Sequence, residues 1–241
     1  MSAGYDARRV RKVMTTRTGG FSAEPFGSFN LAQHVGDRPE DVARNRASLA
    51  ERLNLPEESF VWMEQTHSTN VQIIESLPDG PLADTDAIVT NVPGIALTVL
   101  VADCVPVLLW DETVGVIAAA HAGRQGARDG VVKKTVEAMQ SLGAVPMQIH
   151  GLLGPAACGA EYEVPEEMAA DVEKHLPGSR TLTLNKTPGL DIRQGVQRQL
   201  RDLGVVSVDI MTPCTITDER FFSYRREGLT GRHAGVIVLD D

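Results

Sequence analysis

Residues 95–110 read IALTVLVADCVPVLLW, and residues 116–120 read VIAAA. Thr98 and Asp103 are the polar residues of the first run, and the second has none. Continuous apolar runs, rather than alternation of polar and apolar positions, mark strands covered on both faces. Asp111-Glu112-Thr113-Val114-Gly115 separates them as a turn, so a buried hairpin is expected. With Glu112-Thr113 as its loop, Asp111 opposes Val114, and the same register sets Cys104 opposite His121 on one face. Opposed residues have Cβ atoms about 5 Å apart. A turn one residue longer would bring Ala122 opposite instead. Pro106 removes an N–H from this strand, which predicts a bulge or an edge.

Further strands are expected at Val10–Thr16, Phe60–Met63, Val71–Ile74, Asp86–Thr90, Val206–Met211 and Ala234–Leu239. Helices are expected at Asp37–Leu53, Gly126–Leu142, Pro165–Leu176 and Asp191–Leu203. Pro39 suits a first turn, and Asp37, Glu40 and Asp41 suit the positive end of the helix dipole. Ile192, Val196, Leu200 and Leu203 recur at helical spacing. Strands outnumber helices, and hairpins mix with helical crossovers. The reading is an α+β fold with a mixed sheet, not a doubly wound parallel one. No repeat or Pro/Gly/Ser-rich linker divides the chain, so residues 1–241 are expected to form one domain.

Hydrophobic residues make up 42% of the 241, enough for a sizeable core. The net charge of −9 disfavours nucleic acid as a partner. Basic residues gather at Arg8 to Lys12 and at Tyr224 to Arg226, the first expected as a solvated edge. Three cysteines, Cys104, Cys158 and Cys214, are no disulfide framework and fit a reducing compartment. Met1 to Met14 holds no apolar run, and no segment is long and apolar enough to span a bilayer. The expectation is a soluble, cytoplasmic protein without a membrane partner.

A thiol and an imidazole as close as Cys104 and His121 admit three readings. They could be zinc ligands, a nucleophile with its base, or a buried structural cysteine beside a histidine at the core's rim. His121 leads directly into Ala122-Gly123-Arg124-Gln125-Gly126, a turn into a helix whose N-terminus could bind an anion. His67 sits in the polar segment Gln65-Thr66-His67-Ser68 between two strands. Asp103 is placed to hydrogen-bond a ligand histidine. No local spacing such as His-x-x-x-His nominates His67.

The chain resembles the multicopper polyphenol oxidase (laccase)-like domain family, also called purine nucleoside phosphorylase or peptidoglycan editing factor. The marks run over nearly the whole chain. They include Thr16 to Ser22 (TRTGGFS), Asn30-Leu31, His34 to Asp37 (HVGD), Asn45-Arg46, Gln65-Thr66-His67 and Asp84 to Ala87 (DTDA). They continue through Ala102 to Pro106 (ADCVP), His121-Ala122-Gly123, Gly154 to Gly159 (GPAACG), Phe222 to Arg226 (FSYRR) and Thr230-Gly231-Arg232. The resemblance implies mixed sheets covered by helices, an α/β/β/α layered sandwich. It implies His67, Cys104 and His121 as metal ligands, with Cys104, His121 and Asp103 catalytic and Asn30, Arg46, Gln65 and Arg225 as substrate contacts. Implied activities are phosphorolysis of adenosine, inosine and methylthioadenosine, and adenosine deamination. Some members are instead assigned phenol oxidation or removal of a wrong amino acid from a cell-wall precursor. The family commonly continues Trp-Arg-Gly after His-Ala-Gly, where this chain has Arg124-Gln125-Gly126. Gln125 cannot replace that arginine's charge, and Arg124, one position earlier, is expected to point elsewhere.

A laccase-type copper cluster needs many histidines in close pairs. The six here form no His-x-His. One N/S site suits zinc, although copper binds such ligands more tightly. Three protein ligands leave a fourth position open, the pattern of a catalytic zinc site. Phosphorolysis also needs an anion pocket, for which Arg17, Arg46, Arg225, Arg232 or the backbone of Gly123 to Gly126 are candidates. The expected function is a zinc-dependent purine nucleoside phosphorylase with adenosine deaminase activity, whose partners are nucleoside and phosphate. A cysteine amidase, a copper-dependent polyphenol oxidase and a non-catalytic binding protein are the alternatives.

Overall fold

The computed structural model describes residues 9–240, so Met1 to Arg8, with part of the first basic run, lie outside the described residues. The decisive run does not form one strand. It divides into β5 (Ala96–Val101) and β6 (Val105–Asp111), which belong to different sheets. Between them Asp103 takes a left-handed φ of 86°, a conformation no extended strand accommodates. An apolar run holding a single Asp gives no hint of such a corner. β6 and β7 (Val116–Ala122) do pair as the expected hairpin. Its turn is longer than expected, because Asp111 pairs with Val116 and Gly115 turns left-handed at φ 67°. Pro106, not Cys104, therefore opposes His121. The slip is two residues, and side chains repeat every two, so Cys104 stays on the face of His121.

The four-stranded sheet is completed by β1 (Val10–Met14), β2 (Phe60–Val61) and β12 (His233–Leu239), in the order β1-β12-β5-β2. β12 lies between β1 and β5, and Val10 pairs with Leu239. The six-stranded sheet adds β3 (Val71–Ile73), β4 (Ala87–Thr90), β8 (His150–Leu153) and β11 (Ser207–Ile210), in the order β11-β8-β6-β7-β4-β3. β9 (Arg180–Leu182) and β10 (Pro188–Leu190) form a separate hairpin. The further expected strands shrink by one or two residues at their ends, except β12, which begins one residue earlier than expected. β8, β9 and β10 are additional, since runs this short carry little period.

Three apolar layers hold the sandwich together. Leu49 and Ala50 of α1 (Pro39–Leu53) pack on Ala96, Leu100, Val236 and Val238. Leu97, Val99 and Val101 meet Leu108, Trp110, Ile117 and Ala119 between the sheets. Val107, Leu109, Ala118 and Ala120 face four further helices: α2 (Arg124–Asp129), α3 (Val131–Ser141), α4 (Glu166–His175) and α5 (Ile192–Asp202). The order is helix, sheet, sheet, helices, as the resemblance implied. Each fully buried Leu or Ile here contributes about 1.5–3 kcal/mol. The helix expected over Gly126–Leu142 is broken in two by Gly130, whose φ of 97° ends α2. Asp191 caps α5 by accepting the Gln194 N–H. A last short helix, α6 (Tyr224–Glu227), occupies the second basic cluster. No helix among the described residues is long and apolar enough to cross a membrane.

His233 opens β12 fully buried, with neither ring nitrogen partnered among the described residues. Burial, together with the Arg232 cation, pushes its pKa down to about 3. Below the ordinary value of 6.5 the unfolded chain takes up a proton that the folded chain refuses, so stability falls as the pH drops. From pH 6.5 to 5 this residue should remove about 2 kcal/mol. Urea midpoints at pH 7 and 5 measure the loss, and His233→Leu should flatten the slope. Equal slopes in both chains would show that the imidazole does not set it.

Candidate metal centre

Three segments meet at one end of the inter-sheet layer. Cys104 closes the corner between β5 and β6, His121 is the penultimate residue of β7, and His67 lies in the loop between β2 and β3. Their potential ligand atoms all lie within 4.8 Å of one another. The Cys104 Sγ and His67 Nε2 are 3.8 Å apart. Zinc–sulfur and zinc–nitrogen bonds of ~2.3 and ~2.05 Å, set tetrahedrally, put such atoms about 3.5 Å apart. The donor set and its spacing therefore fit a zinc ion. Gly123 supplies the clearance. A Cβ there would stand 2.6 Å from His67 Cδ2 and 3.1 Å from Cys104 Sγ.

Asp86 organises the two histidines. Its buried carboxylate accepts the Thr66, His67 and Ser68 N–H groups at 3.1, 3.1 and 2.7 Å, and the Ser68 hydroxyl at 2.8 Å. This holds the His67 backbone in its left-handed turn, φ 62°. The same carboxylate lies 2.8 Å from His121 Nδ1, which leaves Nε2 as the ligand atom. Asp103 was expected in this role. Instead it accepts the Thr215 hydroxyl at 2.6 Å and the backbone N–H of Arg225 at 2.7 Å. The corner turns its carboxylate toward α6, away from the imidazoles. Burial opposes ionisation of Asp86, yet hydrogen bonds from His121 and Ser68 hold it well below the carboxylate range. Burial also opposes the Cys104 thiolate, but the charge of His121 and hydrogen bonds from both histidines bring its pKa down to about 6. His121 rises to about 9: burial opposes the charge, and the Cys104 thiolate and Asp86 favour it. Above pH 6 the sulfur is a thiolate ready to ligate or to attack.

The cluster opens into a cavity of about 580 Å³. Tyr162, Tyr224, Leu100 and Ile192 give it aromatic and aliphatic walls, and Arg124, Arg225 and Arg232 give it charge. Of the four expected substrate contacts, Gln65 and Arg225 line it. The Gln65 amide, however, pairs with the Leu100 backbone at 2.7 and 2.8 Å, extending β5. Asn30 is buried, where it brackets Ala32, Asp37 and the Arg232 N–H. Arg46 stacks 3.7 Å over Trp62 beside a separate hollow and donates twice to the Leu31 carbonyl. Arg17 is held by the Gly27 carbonyl and Glu227. Arg124 enters the cavity, while Gln125 is exposed outside it. The expected orientation is reversed, because α2 starts at Arg124 and its first turn faces the ligands.

The family model described as multi-copper polyphenol oxidoreductase laccase matches residues 11–240. The chain belongs to that laccase family. A purine nucleoside phosphorylase of Corynebacterium glutamicum is 58% identical over 234 residues, covering 96% of this chain and 95% of that protein. A purine nucleoside phosphorylase of Streptomyces griseus is 46% identical over 230 residues, 95% and 94% of the two chains. The crystal structure of YlmD from Geobacillus stearothermophilus matches with a TM-score of 0.90 at 30% identity, over 100% and 94% of the two chains. That of a Neisseria meningitidis protein matches with a TM-score of 0.87 at 35% identity, over 96% and 95%. For this laccase-family chain, the trio is the one His/Cys/Asp/Glu group spaced to hold a metal ion among the described residues. It offers ligands for a single ion, not for a copper cluster.

Asp86, Arg124, Tyr162 and Tyr224 were not singled out in the sequence as site residues. Asp86 stood only at the start of an expected strand and within a quoted motif. Arg124 was weighed only as a stand-in for the family's arginine and was expected to point elsewhere.

Proposed function

We propose that the protein is a zinc-dependent purine nucleoside phosphorylase that also deaminates adenosine. The observation that carries this reading is the three-ligand cluster at the wall of a nucleoside-sized cavity with aromatic and cationic sides. The names of the two relatives support it. His67, Cys104 and His121 would hold the zinc, which when bound supplies a Lewis acid and brings the pKa of water toward neutrality. Tyr162 and Tyr224 line the cavity, and aromatic side chains there suit a purine ring. The Asp86 carboxylate keeps His121 in one tautomer and one orientation.

Chromatography of products with and without phosphate tests it. Free base should appear from adenosine and inosine only with phosphate, together with a pentose 1-phosphate. Conversion of adenosine to inosine should continue without it. Base released equally fast in its absence would make the reaction a hydrolysis.

A second reading rests on the lowered pKa of Cys104 beside His121, which also describes an amidase nucleophile. Zinc decides between them. A ligated thiolate resists iodoacetamide, whereas a nucleophile reacts in the zinc-replete protein as fast as without metal.

A further inference from the structure

The chain carries more acid than base, and several of its surface arginines are ion-paired: Arg128 pairs with Asp171, Arg180 with Glu166 and Arg220 with Asp218. The three arginines of the cavity differ. Arg124, Arg225 and Arg232 come from α2, α6 and the loop before β12, and none forms an ion pair among the described residues. Asp103 is the acidic side chain lining the same cavity. Its oxygens are taken by Thr215 and the Arg225 backbone, so it forms no ion pair with a guanidinium, although its charge favours the Arg232 cation through space. Arg225 is fixed by stacking 4.8 Å over the Tyr162 ring, with one Nη2 contact to the Glu163 carbonyl at 3.3 Å. Arg232 is fixed by Nη1, which donates to Thr230 and Gly231 carbonyls at 2.8 and 2.9 Å. The remaining guanidinium N–H groups of both, and all those of Arg124, lack a partner among the described residues. The three guanidinium groups line one cavity whose negative groups are Asp103 and Cys104, so its wall carries more cation than anion. Their planar forks match the oxygens of a phosphate.

We propose that Arg124, Arg225 and Arg232 form a subsite for a phosphate dianion in the wall of the metal cavity. The occupant is inorganic phosphate, the attacking co-substrate; that identity rests on the phosphorolysis reading, while the subsite itself does not. The subsite excludes Arg17 and Arg46, whose guanidinium groups are engaged elsewhere.

Calorimetric titration of the zinc-loaded full chain with inorganic phosphate tests the subsite without turnover. Arg124→Gln and Arg225→Gln should each weaken phosphate about tenfold. Arg124→Lys should retain most of the affinity, and Arg198→Gln on the exposed face of α5 should change nothing. Arg124 makes no hydrogen bond or ion pair among the described residues, so its variant should melt with the parent. In turnover, the KM for phosphate should rise by the same factor while that for nucleoside stays put. Adenosine 5′-monophosphate distinguishes the source of the dianion. If the nucleotide binds tenfold tighter than adenosine, Arg124→Gln erases that difference and free phosphate does not bind, the subsite stands but phosphate is no co-substrate. Arginine-dependent phosphate binding in a chain that cleaves no nucleoside supports the subsite and overturns phosphorolysis. Phosphate and nucleotide affinities unmoved in both variants overturn the subsite, whatever the turnover.

Discussion

Cys104→Ser should leave the purified protein nearly free of zinc and lower both phosphorolysis and deamination at least about a hundredfold. Structural zinc sites gain about 10–16 kcal/mol from some four ligands, so one lost thiolate costs about 3 kcal/mol, or roughly a hundredfold in affinity. The hydroxyl of serine cannot take the thiolate's place, because it stays protonated where the Cys104 pKa is about 6. The fold should survive, since Cys104 sits at the corner outside β5 and β6. Metal analysis of parent and variant, purified without added metal, decides the matter. A variant with one zinc per chain would show that the ligands are elsewhere.

Gly123→Ala should have the second-largest effect through a single methyl group. Gly123 has φ −70° and ψ 166°, which alanine adopts freely, so the backbone is not the obstacle. The obstacle is the 2.6 Å approach to His67 Cδ2 and the 3.1 Å approach to Cys104 Sγ. Both neighbours are ligands, and the His67 loop is pinned by Asp86 on its other side. Relief therefore requires moving either α2 or the imidazole. Zinc affinity should fall at least about tenfold, with a loss of about 1–3 kcal/mol in stability. A chelator competition titration beside a urea melt reads both. Unchanged affinity and turnover would mean that the loop yields without cost and that Gly123 is no clearance for the site.

What the sequence disclosed follows from the range over which each signal acts. The layer order came from the family resemblance, whereas the mixed α+β fold was legible because buried strands are short continuous apolar runs and helix stripes recur every three to four residues. Cys104 and His121 were legible as neighbours for the same reason. A strand's period of two absorbs the error made at the turn, so their shared face survived the wrong register. The corner at Asp103 was not legible, since both strands flanking it are equally apolar. Nor was Asp86, whose partners stand 18 to 35 positions away and meet it only once β4 lies beside β7. His67 was reached through the family resemblance alone, because its place depends on a left-handed turn that no local pattern announces. Arg124 was misplaced by treating one position along the chain as a small rotation. At a helix start that step is about 100°, enough to exchange cavity for solvent.

The position of β12 between β1 and β5 has a consequence for how the protein is made. Val10 finds its partner only in Leu239, so the four-stranded sheet cannot close until the residues through Leu239 have left the ribosome. Pairing over such a separation is slow, because loop closure precedes any gain from contact. Until then β1 and β5 present bare edges that could recruit the same strands of a neighbouring nascent chain. Arg232, one residue before β12, arrives at the cavity with that last strand. An unfinished polypeptide therefore carries His67, Cys104 and His121 but lacks one of the cavity's three cations.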